Sequence, residues 1–329
     1  MTGPFQLSFS SDGREASDVV AGKIAAGEAA GASAFWCANH LFQRDPISLC
    51  ALALARTASL RVTLMAVNPY TIHPVQAVMA AATLDEWFPG RVSLCFGVGA
   101  PADLRSVGVE PVKPLRVMRE TFEVARALLA GDAVKHEGET FRIHGRRLAT
   151  GASSVPLFLA ASGPQMLQLA GAVADGVLIS AGTSVEFVRW SLDQVRAGAA
   201  GRAVRASALV YVALAQAEAA AHDRLRRTLA QLLRGAHHGQ NLALGGSVLD
   251  QARLDAALLR DDWAEAEALV HDDIVRRHAA SGEAHQVAQR LADYHAAGLD
   301  EVVVAGVRDP DEISRILRSV RSQQDFREQ

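Results

Sequence analysis

Five short runs of small or polar residues, each set directly behind a stretch of apolar ones, hold the chemistry-bearing positions of this 329-residue chain. They are Asn39-His40, Asn68-Pro69-Tyr70, Gly97-Val98-Gly99-Ala100, Ala161-Ser162-Gly163-Pro164 and Ser180-Ala181-Gly182-Thr183. His40 is the side chain among them whose ordinary pKa lies near neutrality, which makes it the candidate for holding or moving a proton. The small residues let backbone come close to a flat or phosphorylated ligand. The N–H groups at Ser162–Gly163 and Gly182–Thr183, each ahead of an expected helix, favour an anion. No array of carboxylates or metal ligands accompanies these runs, so no metal is expected. The hard chemistry is expected from a bound cofactor, for which the protein supplies shape and hydrogen bonds.

Other motifs carry less. Gly97-Val98-Gly99-Ala100-Pro101-Ala102 formally fits a dinucleotide fingerprint, but Pro101 removes one of the required N–H groups and the run follows a fourth strand instead of opening the first unit. Ser153-Ser154 and Ser162 lack the Gly-x-Ser-x-Gly elbow of a hydrolase. His73, beside Pro74, reads as a helix cap. His237-His238 reads as a solvated loop without further ligands. His271, His278 and His285 recur every seven residues, about 10.5 Å apart on a helix and too far to share one ion, so they read as a wet or interface stripe. Trp36 and Trp87 read as core.

The elements that must position these runs alternate. Eight strands are expected at Phe5–Phe9, Ala34–Cys37, Arg61–Val67, Arg91–Gly97, Pro156–Ala160, Gly176–Ile179, Ala208–Leu214 and Glu301–Val304. Most are continuous apolar runs, as in a parallel sheet covered on both faces. Between them lie amphipathic helices, one opened by Pro74 and one stepping through Leu115, Met118, Phe122, Ala125 and Leu129. Eight such repeats predict a single α/β domain over residues 1–329, a (β/α)8 TIM barrel whose chemistry sits at the C-terminal ends of its strands. Residues 131–155 are expected to form a hairpin-like excursion. Residues 217–295 are expected to be a helical insertion between strands seven and eight, with Gly235–Ser247 as a mobile lid.

Composition agrees with a soluble protein. Apolar residues make up 50% of the chain and charged ones 21%, with a formal net charge of −3. That balance gives no argument for nucleic acid or an anionic membrane as partner. Arg224, Arg226 and Arg227 read as the wet side of a helix. Cys37, Cys50 and Cys95 are scattered through apolar segments and read as buried free thiols. Met1–Phe9 lacks the pattern of a signal peptide and no run of about 18 apolar residues appears, so a cytoplasmic location is expected.

Val67-Asn68-Pro69-Tyr70-Thr71-Ile72-His73-Pro74, Ala82-Thr83-Leu84-Asp85-Glu86, Pro89-Gly90-Arg91-Val92, Glu137-Gly138-Glu139-Thr140-Phe141, Ala161-Ser162-Gly163-Pro164 with Ala174-Asp175-Gly176-Val177, and Ala297-Gly298-Leu299-Asp300-Glu301-Val302 stand in this order along the chain. Together they resemble the luciferase-like family of flavin- and deazaflavin-dependent oxidoreductases, most of all its methylenetetrahydromethanopterin reductase branch. The resemblance implies a barrel that binds reduced FMN or coenzyme F420 at its mouth, for hydride transfer to a small substrate or for its monooxygenation. It implies a non-proline cis peptide at Ala66–Val67 under the cofactor ring, a catalytic His40 preceded by Asn39, and a possible homodimer. Cofactor contacts fall on Asn39, Ala66, Val67, Asn68, Gly97, Gly99, Ala161, Ser162, Gly163, Ser180, Ala181, Gly182 and Thr183. The chain departs from the reductase branch in its acids: Ser8, Phe9 and Ser10 stand near the end of strand one, Asn39 precedes His40, and Ala100-Pro101 follow the strand-four glycines, with Asp103 later. That departure motivates one alternative, a non-catalytic flavin-binding protein on the same fold; a second alternative is a flavin-free barrel enzyme with a sugar phosphate in its mouth.

Overall fold

A computed structural model describes residues 5–327 and the surroundings of side chains as far as residue 321; the first four residues of the N-terminal stretch lie outside it. Its strands in chain order are β1 (Gln6–Ser11), β2 (Ala34–Ala38), β3 (Arg61–Val67), β4 (Val92–Phe96), β5 (Val134–Glu137), β6 (Arg142–Arg146), β7 (Leu157–Ala161), β8 (Gly176–Ile179), β9 (Arg205–Leu214), β10 (Ala280–Gly282) and β11 (Glu301–Ala305). Parallel pairing runs β9-β11-β1-β2-β3-β4-β7-β8, and β8 returns to β9, so eight strands close into a barrel. The expected TIM barrel is therefore what the chain forms.

The period-two alternation of strand side chains divides the core into layers. On β2, Phe35 and Cys37 face the surrounding helices, while Ala34, Trp36 and Ala38 face the barrel interior beside Met65, Cys95, Phe158, Leu178 and Val303. The interior is bulky in the middle and small at the C-terminal end, where Ala38, Ala66 and Ala160 leave space. The N-terminal end is closed by polar groups. Glu301, almost fully buried, accepts from Trp36 Nε1 (3.0 Å), Arg205 Nη2 (2.7 Å) and the hydroxyls of Ser8 and Ser207. Gln6 Oε1 joins Arg61 and Arg205 beside it.

Between β4 and β7, β5 and β6 pair as an antiparallel hairpin. Its tip is held by Glu120 of the helix Pro114–Leu129, whose carboxylate accepts the N–H groups of Glu139 (3.1 Å), Thr140 (2.9 Å) and Phe141 (3.1 Å). Burial pushes the Glu120 carboxyl up, but the three N–H donors outweigh it and hold it below the ordinary carboxylate range.

Residues 217–295 hold the helices Glu218–Leu233, Gly239–Leu244, Gln251–Leu259, Trp263–Leu269, Asp272–His278 and Ala284–Ala296. The first five share a small apolar core of their own, including Leu225, Leu229, Leu254 and Ile274. Ala284–Ala296 packs on β11 as the crossover helix of the barrel itself. Several sequence expectations are corrected in this region. Gly235–Ser247 is a short 3₁₀ turn and a helix packed into the molecule, with His238 and Asn241 buried, and not a free lid. His278 is 1% exposed, so the seven-residue histidine series is no wet stripe. Arg224 and Arg227 do stand on the exposed side of Glu218–Leu233 as expected, Arg224 paired with buried Glu312 (2.7 Å) and Arg227 stacked on Trp263 (3.8 Å), while partly buried Arg226 pairs with Asp272. Trp87 is 65% exposed at the end of Pro74–Trp87, whereas Trp36 is core. The three cysteines are buried and free. No helix among the described residues is long and apolar enough to cross a membrane.

Candidate functional site

The C-terminal strand ends surround a cavity of about 470 Å³, the mouth at which barrels of this type carry their chemistry. Asn39, His40, Ala66, Asn68, Gly97, Gly99, Ala161, Ser162, Gly163, Ser180 and Ala181 all line it. Positions separated by more than a hundred residues are thus gathered on one surface because consecutive parallel strands end at the same side of the sheet.

The floor is formed by close backbone approach. Gly97 N–H donates to Val67 O (3.1 Å), and a Cβ on Gly97 would lie 2.8 Å from the Cβ of Ala66 and 3.3 Å from that of Ala160. Only glycine fits between these strands. The expected cis bond at Ala66–Val67 is absent: no peptide among the described residues is cis. The register of β3 against β4 instead slips between Leu64 and Val67. Such a bulge bends a strand and re-aims its side chains with an all-trans backbone. Ala66 turns to the cavity, while Val67 is 1% exposed and packs in the outer core. Asn68 closes the strand, its Oδ1 accepting from Thr71 N (3.0 Å) and Thr71 Oγ1 (2.9 Å). His73 caps Pro74–Trp87 by accepting Val75 N–H at Nδ1 (3.2 Å).

His40 stands on the rim as an exposed residue that also lines the cavity. Its loop is tied to the one after β1: Arg44 N–H donates to Gly13 O (3.2 Å), and Arg44 Nη1 reaches Gly13 O (3.2 Å) and Arg14 O (3.1 Å). Crowding by the mouth lowers the His40 pKa, Asp12 opposes that, Arg14 adds to it and Asp103 opposes it; the balance lies below the ordinary imidazole value. Asp103 lines the cavity, and Asp12 directly follows β1. Strand one is expected from the sequence to end at Phe9, ahead of the polar pair Ser10-Ser11. Both are buried, Ser10 Oγ donating to Val304 O (3.2 Å) and Ser11 Oγ bonding Glu15, so the strand runs two residues further, to Ser11, and Asp12 follows it near enough for its charge to act on His40. Tyr211 of β9 and Leu232 of the helix Glu218–Leu233 also line the cavity, and no sequence signal marked either.

Gly182 and Thr183 are corrected. Neither lines the cavity; they lie behind it, under the inserted helices, where Leu229 and Leu232 are the nearest neighbours of a Cβ built on Gly182. Gly182 is left-handed (φ +68°), so the chain turns away from the mouth after Ala181. Gly163, by contrast, precedes the helix Pro164–Val173 on the cavity wall with open space in front of it. The side-chain Nδ2 of Asn39 is buried without a hydrogen-bond partner among the described residues.

Residues 10–301 match the family model of the luciferase-like monooxygenases. The chain is 29% identical over 286 residues to a 5,10-methylenetetrahydromethanopterin reductase of Archaeoglobus fulgidus, covering 84% of this chain and 86% of that protein. In fold it is similar to a coenzyme F420 dependent tetrahydromethanopterin reductase from Methanopyrus kandleri, with TM-score 0.88 and 22% identity, spanning 98% of this chain and 99% of that one. It also matches a riboflavin lyase solved with modified FMN, with TM-score 0.75 and 17% identity over 99% and 92% of the two chains. With almost the whole barrel matched in sequence, and with the cavity at the expected mouth, the chain belongs to the luciferase-like monooxygenase family.

Proposed function

We propose that this protein is an oxidoreductase that binds coenzyme F420 or FMN in the barrel mouth and acts on a small organic substrate by hydride transfer or monooxygenation. The observation that carries the reading is the cavity itself: a floor of Ala66, Gly97 and Ala160 with no protruding side chain, beside the buried and unpartnered amide of Asn39. An unmade buried hydrogen bond costs about 1–3 kcal/mol, so Asn39 Nδ2 is an asset once a carbonyl-bearing ring lies against it. The residues present therefore fit a flat heterocycle. Ser162 and Gly163, at the start of Pro164–Val173, suit its phosphate. Similarity to the reductases favours F420 over FMN.

Bound there, the reduced cofactor supplies the hydride or the electrons that activate oxygen. The chain's own part is to exclude water with Met65, Leu178, Leu209 and Leu232 and to hold a proton on the His40 imidazole at the rim. Asp12 and Asp103 raise that imidazole's hold on the proton. Asp103, which lines the cavity, is the carboxylate that supports a catalytic reading over a non-catalytic one. The test is a fluorescence titration of the purified protein with F420 and with FMN, followed by single-turnover oxidation of the bound reduced cofactor by candidate substrates or oxygen. Binding of neither cofactor sinks the proposal.

A further inference from the structure

The inserted helices touch the mouth in two ways. Leu232 enters the cavity directly. The other route is through the loop after β8, whose Ser180 and Ala181 line the cavity and whose next three residues turn beneath the insertion. Each of those three residues is gripped through its backbone. Gly182 O accepts from Asn241 Nδ2 (2.8 Å) and from His278 Nδ1 (3.0 Å). Thr183 O accepts from Tyr294 Oη (2.6 Å). Ser184 N–H donates to Asn241 Oδ1 (2.9 Å), and Ser184 Oγ in turn caps the helix Val185–Ala199. The far nitrogen of His278 meets Ser247 Oγ (2.8 Å). Asn241, His278 and Tyr294 are all at most 1% exposed.

A neutral His278 that donates from Nδ1 and accepts at Nε2 satisfies both of its partners, and Asn241 spends its carbonyl and its amide on two backbone groups two residues apart. Buried polar groups satisfied in this way specify one geometry, because any shift of the loop leaves several of them unpaired at once. A structural brace for the insertion would need only side-chain contacts among its own helices. Here the bonds converge on the backbone of a segment outside the insertion, one residue beyond the cavity wall.

We propose that Asn241 and His278 are positioning residues: through Gly182 they fix the backbone of Ser180 and Ala181 against the bound cofactor, so that the insertion acts as the rear wall of the cofactor site. This rests on the cofactor-binding reading above.

The test combines amide hydrogen exchange over residues 180–184 with titration of F420 and FMN. Asn241→Asp keeps the size and the acceptor for Ser184 N–H but turns an oxygen toward Gly182 O. His278→Leu removes both bonds of that ring. His278→Asn keeps a donor at the position of Nδ1. Each of the first two variants is expected to speed exchange of the segment and to raise the cofactor Kd about tenfold, roughly the effect of one buried hydrogen bond, while His278→Asn restores most of both. Glu120→Ala is the control: it frees three N–H groups of the distant hairpin and lowers stability while leaving the segment's exchange and the Kd as in the parent. Should Asn241→Asp fail to fold, the two His278 variants carry the comparison. Parent-like Kd and exchange in His278→Leu, or an equal Kd loss in Glu120→Ala, overturns the proposal. Failure of the unmodified protein to bind either cofactor overturns the functional reading instead, and the positioning role of Asn241 and His278 with it.

Discussion

Gly97→Ala adds one carbon where three strands meet. The new Cβ stands 2.8 Å from the Cβ of Ala66 and 3.3 Å from that of Ala160. Carbon atoms in contact settle at about 3.5–4.0 Å, so Ala66 must retreat by the better part of an ångström. It has little freedom to do so: Val67 beside it is packed in the outer core and its carbonyl holds Gly97 N–H. Overpacking of this kind costs about 1–3 kcal/mol. Because Ala66 belongs to the cavity floor, part of that cost appears as weakened cofactor binding. If binding requires the floor in its parent position, 1–3 kcal/mol corresponds to a Kd raised about fivefold to a hundredfold. Urea unfolding of the cofactor-free protein measures the first quantity and fluorescence titration the second. Stability within about 0.5 kcal/mol of the parent, the scatter of an ordinary surface substitution, together with an unchanged Kd, would refute the argument that only glycine fits there.

Four further outcomes are expected. Glu301→Ala leaves Trp36 Nε1 and Arg205 without their buried acceptor and should lower unfolding stability by about 3–5 kcal/mol, read from the urea midpoint; cofactor affinity, governed by the opposite end of the barrel, stays the same. His278 is lowered to about 4 and His238 to about 3 by burial, from an ordinary 6.5. The unfolded chain therefore binds more protons than the folded one between those values, so stability is full above about pH 6.5 and falls with pH toward 4, by up to about 1.4 kcal/mol per pH unit for each histidine; urea midpoints at pH 7, 5.5 and 4.5 check this, and a flat profile refutes it. His40→Ala should leave the cofactor Kd within about twofold and cut turnover by about a hundredfold or more, the usual size of a general acid or base contribution. Asp12→Asn removes a charge that raises the His40 pKa and should move the turnover–pH profile to lower pH, visible as a shift of its inflection without loss of the plateau.

The barrel was legible because its signal is local. Continuous apolar runs such as Phe35–Cys37 and Val302–Val304 can be buried on both faces only in a covered parallel sheet, and the pairing puts their ends together. Eleven of the fourteen named site positions reach the cavity for that reason: each lies at or just beyond the C-terminal end of a strand, and every barrel strand points the same way. The failures arise where a residue's place depends on a partner far away in sequence. Gly182 and Thr183 also follow a strand, but Asn241, His278 and Tyr294, about 60 to 110 residues later, draw that backbone behind the mouth. His278 looks solvated by its seven-residue spacing and His238 by its Gly-rich loop, yet both are buried, and the neutral imidazole of His278 finds polar partners inside. Asp12 was hidden by two serines that a strand tolerates once their hydroxyls are bonded.

The sequence by itself thus determined the layered α/β architecture, the face that carries the mouth, the family and the place of His40 at that mouth, since all of these follow from the order and periodicity of neighbouring residues. Tertiary structure alone decided the trans bulge at Ala66, the acids around His40, and the use of the insertion as a wall in place of a lid. Those depend on how a buried polar group is satisfied or a Cβ is accommodated, and such questions have no answer until the distant partner is in place.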